Sequence, residues 1–195
     1  DVTIRNGSIA GGGNDGGGVL NHGTLSLNGV VIRDNTASYG GGVFSTGHLS
    51  VSESTITENV ATGDNNGGIQ SNGTLFVIDS TISNNTASVR AGGILAGGVS
   101  GGHTTIINST ISGNTALTIE GGGIFVGPLT VLNSTITGNT AASNGGGISS
   151  IGAVNLENTI IAGNTAPSGA DCDVEDPPGQ AITSLGHNLD SDNSC

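Results

Sequence analysis

This 195-residue chain has no lysine, no methionine and no tryptophan, and carries only one tyrosine and three phenylalanines. At 2% aromatic content it cannot fill the broad core of a compact globule, which leans on large rings. Charged residues make up 9%, low for a folded domain, so the surface must be covered by Ser, Thr, Asn and Gly. Three arginines stand against 15 acids, giving a net charge of −12. That balance excludes nucleic acid as a partner, because phosphate backbones are held by clustered Lys and Arg, and it disfavours anionic membranes. No apolar run approaches about 18 residues, so no membrane-inserted helix is expected. There are 37 glycines but no G-X-Y period, which excludes collagen.

What is present is a repeat. An isoleucine column runs Ile32, Ile56, Ile82, Ile111, Ile136, Ile161, in steps of 24, 26, 29, 25 and 25. Three residues after each stands an asparagine: Asn35, Asn59, Asn85, Asn114, Asn139, Asn164. Alanine follows two later, from Ala37 to Ala166. A glycine-rich step leads to Val43, Ile69, Ile94, Ile124 and Ile148, and then to alternating pairs: Leu25/Leu27, Leu49/Val51, Leu75/Val77, Thr105/Ile107, Leu129/Val131, Val154/Leu156. By the same spacing Val2, Ile4 and Ile9 match Leu25, Leu27 and Ile32, so the chain is expected to begin in mid-coil.

Period-2 alternation over so few residues, cut by Gly, Asn and Ser, means short strands and essentially no helix. The expected fold is all-β: a right-handed, single-stranded parallel β-helix of about seven coils, each of about 25 residues and three short strands, stacked about 4.8 Å apart. Inward asparagines should bond the backbone and their own copies above and below, and take the left-handed conformation that corners need. Glycines should supply positive φ at another corner. A serine column (Ser54, Ser80, Ser109, Ser134, then Thr159) should also point inward. Residues 1–170 form the coils. Residues 171–195, opening with Asp171 and Pro177-Pro178-Gly179, form a C-terminal cap. Both cysteines, Cys172 and Cys195, lie in this cap, which points to a local disulfide and an oxidising, extracellular compartment.

The pairing of Gly121-Gly122-Gly123-Ile124 with Ile111-Ser112-Gly113-Asn114 resembles the repeats of the bacterial polymorphic outer membrane proteins. The closing run Ile182-Thr183-Ser184-Leu185-Gly186-His187-Asn188-Leu189, between the two cysteines, is similar to the end of surface β-helices that carry a choice-of-anchor region. The resemblance implies a secreted or surface-displayed protein, often an adhesin.

Three function classes follow. The first is a non-catalytic structural or adhesive rod of a bacterial surface, whose partners are other cell-surface components or further copies stacked end to end into fibres. The second is a β-helix that binds or cleaves polysaccharide. Hydrolysis wants two carboxyl groups facing each other across the glycosidic bond. Here Asp34, Glu53, Glu58, Asp79, Glu120 and Glu157 fall mostly singly at corners, with Asp34 and Glu58 the closest to a stack, so no catalytic residue is assigned. The third is ice binding. With the isoleucines inward, Thr55/Thr57, Thr81/Ser83, Thr110/Ser112 and Thr135/Thr137 face outward as a hydroxyl-methyl array that resembles the ice-binding faces of some β-helical antifreeze proteins. No cofactor is expected; Asp171, Asp173, Glu175, Asp176, Asp190 and Asp192, dense in the cap, offer the one place for Ca²⁺.

Overall fold

In the computed structural model the described residues are 2–9, 13, 16–97, 102–174 and 182–195, with 64 and 65 described in their backbone alone. All regular structure among them is β, and every strand pairing is parallel. Three sheets run the length of the molecule. The isoleucine sheet has eight strands: Val2–Arg5, Val30–Arg33, Thr55–Thr57, Thr81–Ser83, Thr110–Ser112, Thr135–Thr137, Ile160–Ala162 and Leu189–Asp190. A seven-stranded sheet begins at Val19–Asn21, continues through Val43–Ser45, and ends at Cys172–Val174. The Leu-x-Val sheet, also seven-stranded, runs from Thr24–Asn28 to Ile182–Ser184. In the middle coils the Thr-Ala pairs add a fourth, five-stranded ladder, from Thr36–Tyr39 to Thr140–Ala141. The chain visits the sheets in turn and returns to each about one repeat later, as Ile82 pairs with Ile56 and with Ile111. This is a β-solenoid of about seven coils.

The core is a stack of columns. Ile32, Ile56, Ile82, Ile111 and Ile136 are wholly buried, packed with Leu49, Leu75 and Leu129 and with Val51, Val77 and Val131. Burying each such side chain stabilises the fold by roughly 1.5–3 kcal/mol. No ring is needed, because the tube is only a few aliphatic side chains wide.

Each coil turns at three corners, and each corner uses one left-handed residue. One column is Gly29, Glu53, Asp79, Asn108, Asn133 and Asn158, with φ between 49° and 63°. A second is Asp34, Glu58, Asn84, Gly113, Gly138 and Gly163, with φ from 54° to 68°. A third is Gly40, Asn66, Ala91, Gly121, Gly145 and Gly169. The left-handed residue at the second corner is therefore the one before the column asparagine, not the asparagine. Its side chain points to solvent, while the asparagine keeps an ordinary φ and turns inward. Glycine also serves close approach: a Cβ on Gly93 would lie 2.5 Å from the Gly123 carbonyl oxygen and 3.0 Å from the Asn114 amide group.

Two register expectations are corrected. Thr104 and Ile106, not Thr105 and Ile107, continue the inward Leu-x-Val columns, pairing with Leu75 and Val77. The extra residues of that coil shift the count, and residues 98–101 lie outside the described residues. Ile4 pairs with Ile32, not with Leu27. Alternation alone is degenerate between strands, whereas Ile4-Arg5-Asn6 repeats Ile32-Arg33-Asp34 corner and all.

Candidate functional site

The outward positions of the isoleucine sheet form two straight columns. Thr55, Thr81, Thr110 and Thr135 stand in one; Thr57, Ser83, Ser112 and Thr137 stand in the other, paired strand by strand. The columns are about 6.6 Å apart along the strand, and the rungs about 4.8 Å apart along the axis. All eight side chains are half-buried between their neighbours. Ser83 donates to Thr57 Oγ1 at 3.1 Å, and Thr137 donates to the Ala162 carbonyl at 2.7 Å. Val31 and Arg33 bound the array on one side, Ile160 and Ala162 on the other.

Inside, the asparagines form an unbroken chain of hydrogen bonds. At each rung the backbone N–H and the Nδ2 of one asparagine both donate to Oδ1 of the next, as from Asn85 to Asn114 and from Asn114 to Asn139, all at 3.0 Å. The other Nδ2 hydrogen goes to an isoleucine carbonyl one coil back, from Asn114 to Ile82 at 3.0 Å. Asn35, Asn59, Asn85, Asn114 and Asn139 are all fully buried and Asn164 nearly so. The serine column makes a second ladder: Ser54 N–H donates to Ser80 Oγ, and Ser80 N–H to Ser109 Oγ, each at 3.1 Å.

The asparagine ladder ends on an acid. Asn164 N–H and Nδ2 donate to Asp171 Oδ1 at 3.3 and 2.8 Å. Asp171 Oδ2 accepts from Ser191 N–H and Oγ at 3.0 and 2.5 Å. Asp171 is fully buried, and its carboxyl oxygens lie near those of Asp190 and Asp192, within 4.8 Å. The other oxygens are also engaged by the chain. Cys195 N–H and Asp192 N–H donate to Asp190, while Ser194 N–H and Oγ and Asp171 N–H donate to Asp192. Burial pushes the Asp190 carboxyl up, against the N–H bonds from Cys195 and Asp192. Burial acts in the same sense on Asp192, but the bonds from Ser194 and Asp171 outweigh it and hold that group below its usual value. Each of the six oxygens thus accepts at least one hydrogen bond from the chain. Glu175 and Asp176 lie outside the described residues. Cys172 and Cys195 form a disulfide.

Four further acids, Asp34, Glu53, Glu58 and Asp79, sit exposed on the outside of corners, whereas Glu157 and Asp173 lie in strands. Glu53 and Asp79 are neighbours in one corner column, Asp34 and Glu58 in another. Arg33 pairs with Asp34 at 3.0 Å, both more than a third exposed, so the pair adds little stability. Glu120 is buried, with Arg90 at 3.9 Å and the Arg90 guanidinium 5.4 Å above the Phe125 ring.

One family model matches the chain. It describes the Chlamydia polymorphic membrane protein repeat and covers residues 133–151. That stretch is Asn133-Ser134-Thr135-Ile136 through Asn139-Thr140-Ala141 to Gly145-Gly146-Gly147-Ile148, one passage from the isoleucine sheet through the asparagine corner and the glycine step. A β-solenoid with this repeat fits a polymorphic membrane protein-type β-helix of the surface class. The choice-of-anchor resemblance of the closing segment has no counterpart in the match. No curated protein and no solved structure matches the chain.

Proposed function

We propose that the chain is a rigid, non-catalytic rod of a bacterial surface, with a structural or adhesive role. The observation that carries this reading is the internal ladder. From Asn35 to Asn164 each coil is fixed to the next by the same buried asparagine rung, so that part of the stack resists bending and local opening whatever the outer side chains are. The repeat match supports the surface class, and the disulfide supports an oxidising compartment. Antibody labelling of intact cells that make the protein is the test. Labelling without permeabilisation is expected; labelling only after the cells are opened would overturn the reading. Further copies stacked end to end would lengthen such a rod. The last coil works against this, because Asp190 stands opposite Ile161 where earlier coils place isoleucine. Light scattering that grows with concentration would support stacking, and a constant monomer mass would overturn it.

A second reading rests on the two hydroxyl columns, whose eight side chains repeat without a charge over four coils. Such an array could order water in a lattice and bind ice. Thermal hysteresis at millimolar protein, lost in Thr81→Tyr/Thr110→Tyr, would support it; no hysteresis removes it.

A further inference from the structure

The last coil is built differently from those above it. Ser184 pairs with Leu156, and Asp190 with Ile161, so polar side chains take register positions that are aliphatic in the body. Leu185 and Leu189 are 56% and 52% exposed. The strands are short, Ile182–Ser184 and Leu189–Asp190. A cavity of about 160 Å³ opens between this coil and the core, lined in part by Leu156, Ile161, Ile182, Leu189, Asp190 and Cys195. Apolar burial therefore contributes little beyond Ile182 and Cys195, which pack partly buried against the core.

Its attachments are polar or covalent. Asn188 Nδ2 donates to the Leu156 carbonyl at 2.8 Å, and Thr159 N–H donates to Asn188 Oδ1 at 2.9 Å. Ser191 reaches Asp171, and Cys172 N–H donates to Ser194 Oγ at 2.8 Å. Beyond the peptide chain itself, the disulfide is the covalent tie: Cys172 is packed in the core, and Cys195 is only partly buried against it.

We propose that residues 182–195 form a detachable cap latched by the Cys172–Cys195 disulfide, and that reduction releases the cap while the body stays folded. A dithiol reductant supplies two electrons and two protons. The S–S bond breaks, two thiols form, and the reductant closes to its own disulfide. The uncovered surface is the apolar end around Leu156 and Ile161 and the open edges of Val154–Glu157 and Ile160–Ala162. The rod is thus closed at this end when oxidised and open there when reduced.

Hydrogen exchange read by mass spectrometry, with and without dithiothreitol, tests this. The reporting amides are Leu185, Leu189 and Ser191, which donate to the carbonyls of Leu156, Thr159 and Ile161. The latch spans a sequence separation of 23, and losing that constraint should speed their exchange by up to about a hundredfold. Amides around Ile111 should not change. Unaltered protection of 182–195 in the reduced protein overturns the proposal, and so does parallel loss of protection in the body. Cys195→Ser, which leaves Cys172 packed, should reproduce the reduced pattern without reductant. Oxidised-like protection in that variant overturns it equally.

Discussion

Replacing Asn114 by leucine removes one rung from the middle of the ladder. Oδ1 of Asn114 is the acceptor for both Asn85 N–H and Asn85 Nδ2, and its own Nδ2 serves the Ile82 carbonyl. All three groups stay buried in Asn114→Leu. Depriving the Asn85 N–H and the Ile82 carbonyl of these partners costs about 1–3 kcal/mol each, and Asn85 Nδ2, which keeps its bond to the Ile56 carbonyl, adds less. Asn139 Oδ1 loses one of two donors but keeps the Asn114 N–H, so it adds little. Leucine recovers little by apolar burial, since the glycine step of Gly93 packs against this side chain. Allowing for local relaxation, the loss is about 3–6 kcal/mol, a large share of the 5–15 kcal/mol typical of a domain. At about 2–4 °C per kcal/mol for a chain of this size, the melting midpoint should fall by about 6–24 °C. The control is Asn144→Leu: Asn144 lies at a corner, half-buried, bonded through its side chain to Ser143. It should change stability by less than about 1 kcal/mol. Urea and thermal melts followed by circular dichroism compare the two, and equal losses would refute the ladder as the source of stability.

At the second corner, Gly138 has φ +65° and open space where a side chain would begin. Gly138→Val should therefore cost about 1–2 kcal/mol from backbone strain alone, and Gly138→Asn much less; equal melts would show that the corner is not locked in that conformation. Ser109→Ala orphans the buried Ser80 N–H and should cost about 1–3 kcal/mol, against a near-neutral Ser112→Ala on the outside. The cap acids should oppose one another with pH. Asp190 is raised, so its protonated form is favoured by folding; its contribution is full below the unfolded value and lost as pH rises through the folded one. Asp190→Asn should therefore stabilise the cap at neutral pH and not at about pH 3. Asp192 is lowered, so its contribution is present above the unfolded value and lost as pH falls through the folded one. Asp192→Asn should weaken the cap at neutral pH, with the difference fading in acid; cap exchange rates across pH check both signs.

The columns were legible because parallel stacking forces identical side chains into register. Ile, Asn and Ala recur at fixed offsets wherever the chain makes the same corner, and the Cys172–Cys195 pairing followed from both cysteines lying in one segment. The corner conformation was harder to read. Asn is a favoured non-glycine residue at such sites, yet the ladder asparagines must face inward. The strained residue is therefore the exposed one before them, and Gly113, Gly138 and Gly163 in that place were the available signal. Asp171 holds the glycine-step position, 24 residues after Gly147. The signal missed was an acid where earlier coils have glycine: its side chain fills the place of the next asparagine rung, only seven residues after Asn164. Ile4 misled because alternation is the same in every strand, and only the neighbouring corner says which strand it is. At Ile106 the strand was right, but the extra residues of that coil shifted the inward face by one.

The account requires that one coil be an interchangeable unit whose inside matches the coil above and the coil below. Deleting residues 115–139 joins Asn114 to Thr140, as Asn139 is joined to Thr140 in the intact chain, and brings Asn164 one rung closer to Asn114. The shortened protein should keep its β circular dichroism and a cooperative melt, and small-angle scattering should show a rod about 5 Å shorter. A matched deletion of 115–127, which breaks register, should unfold. If the full-coil deletion unfolds as well, the coils are not stacked in the register described.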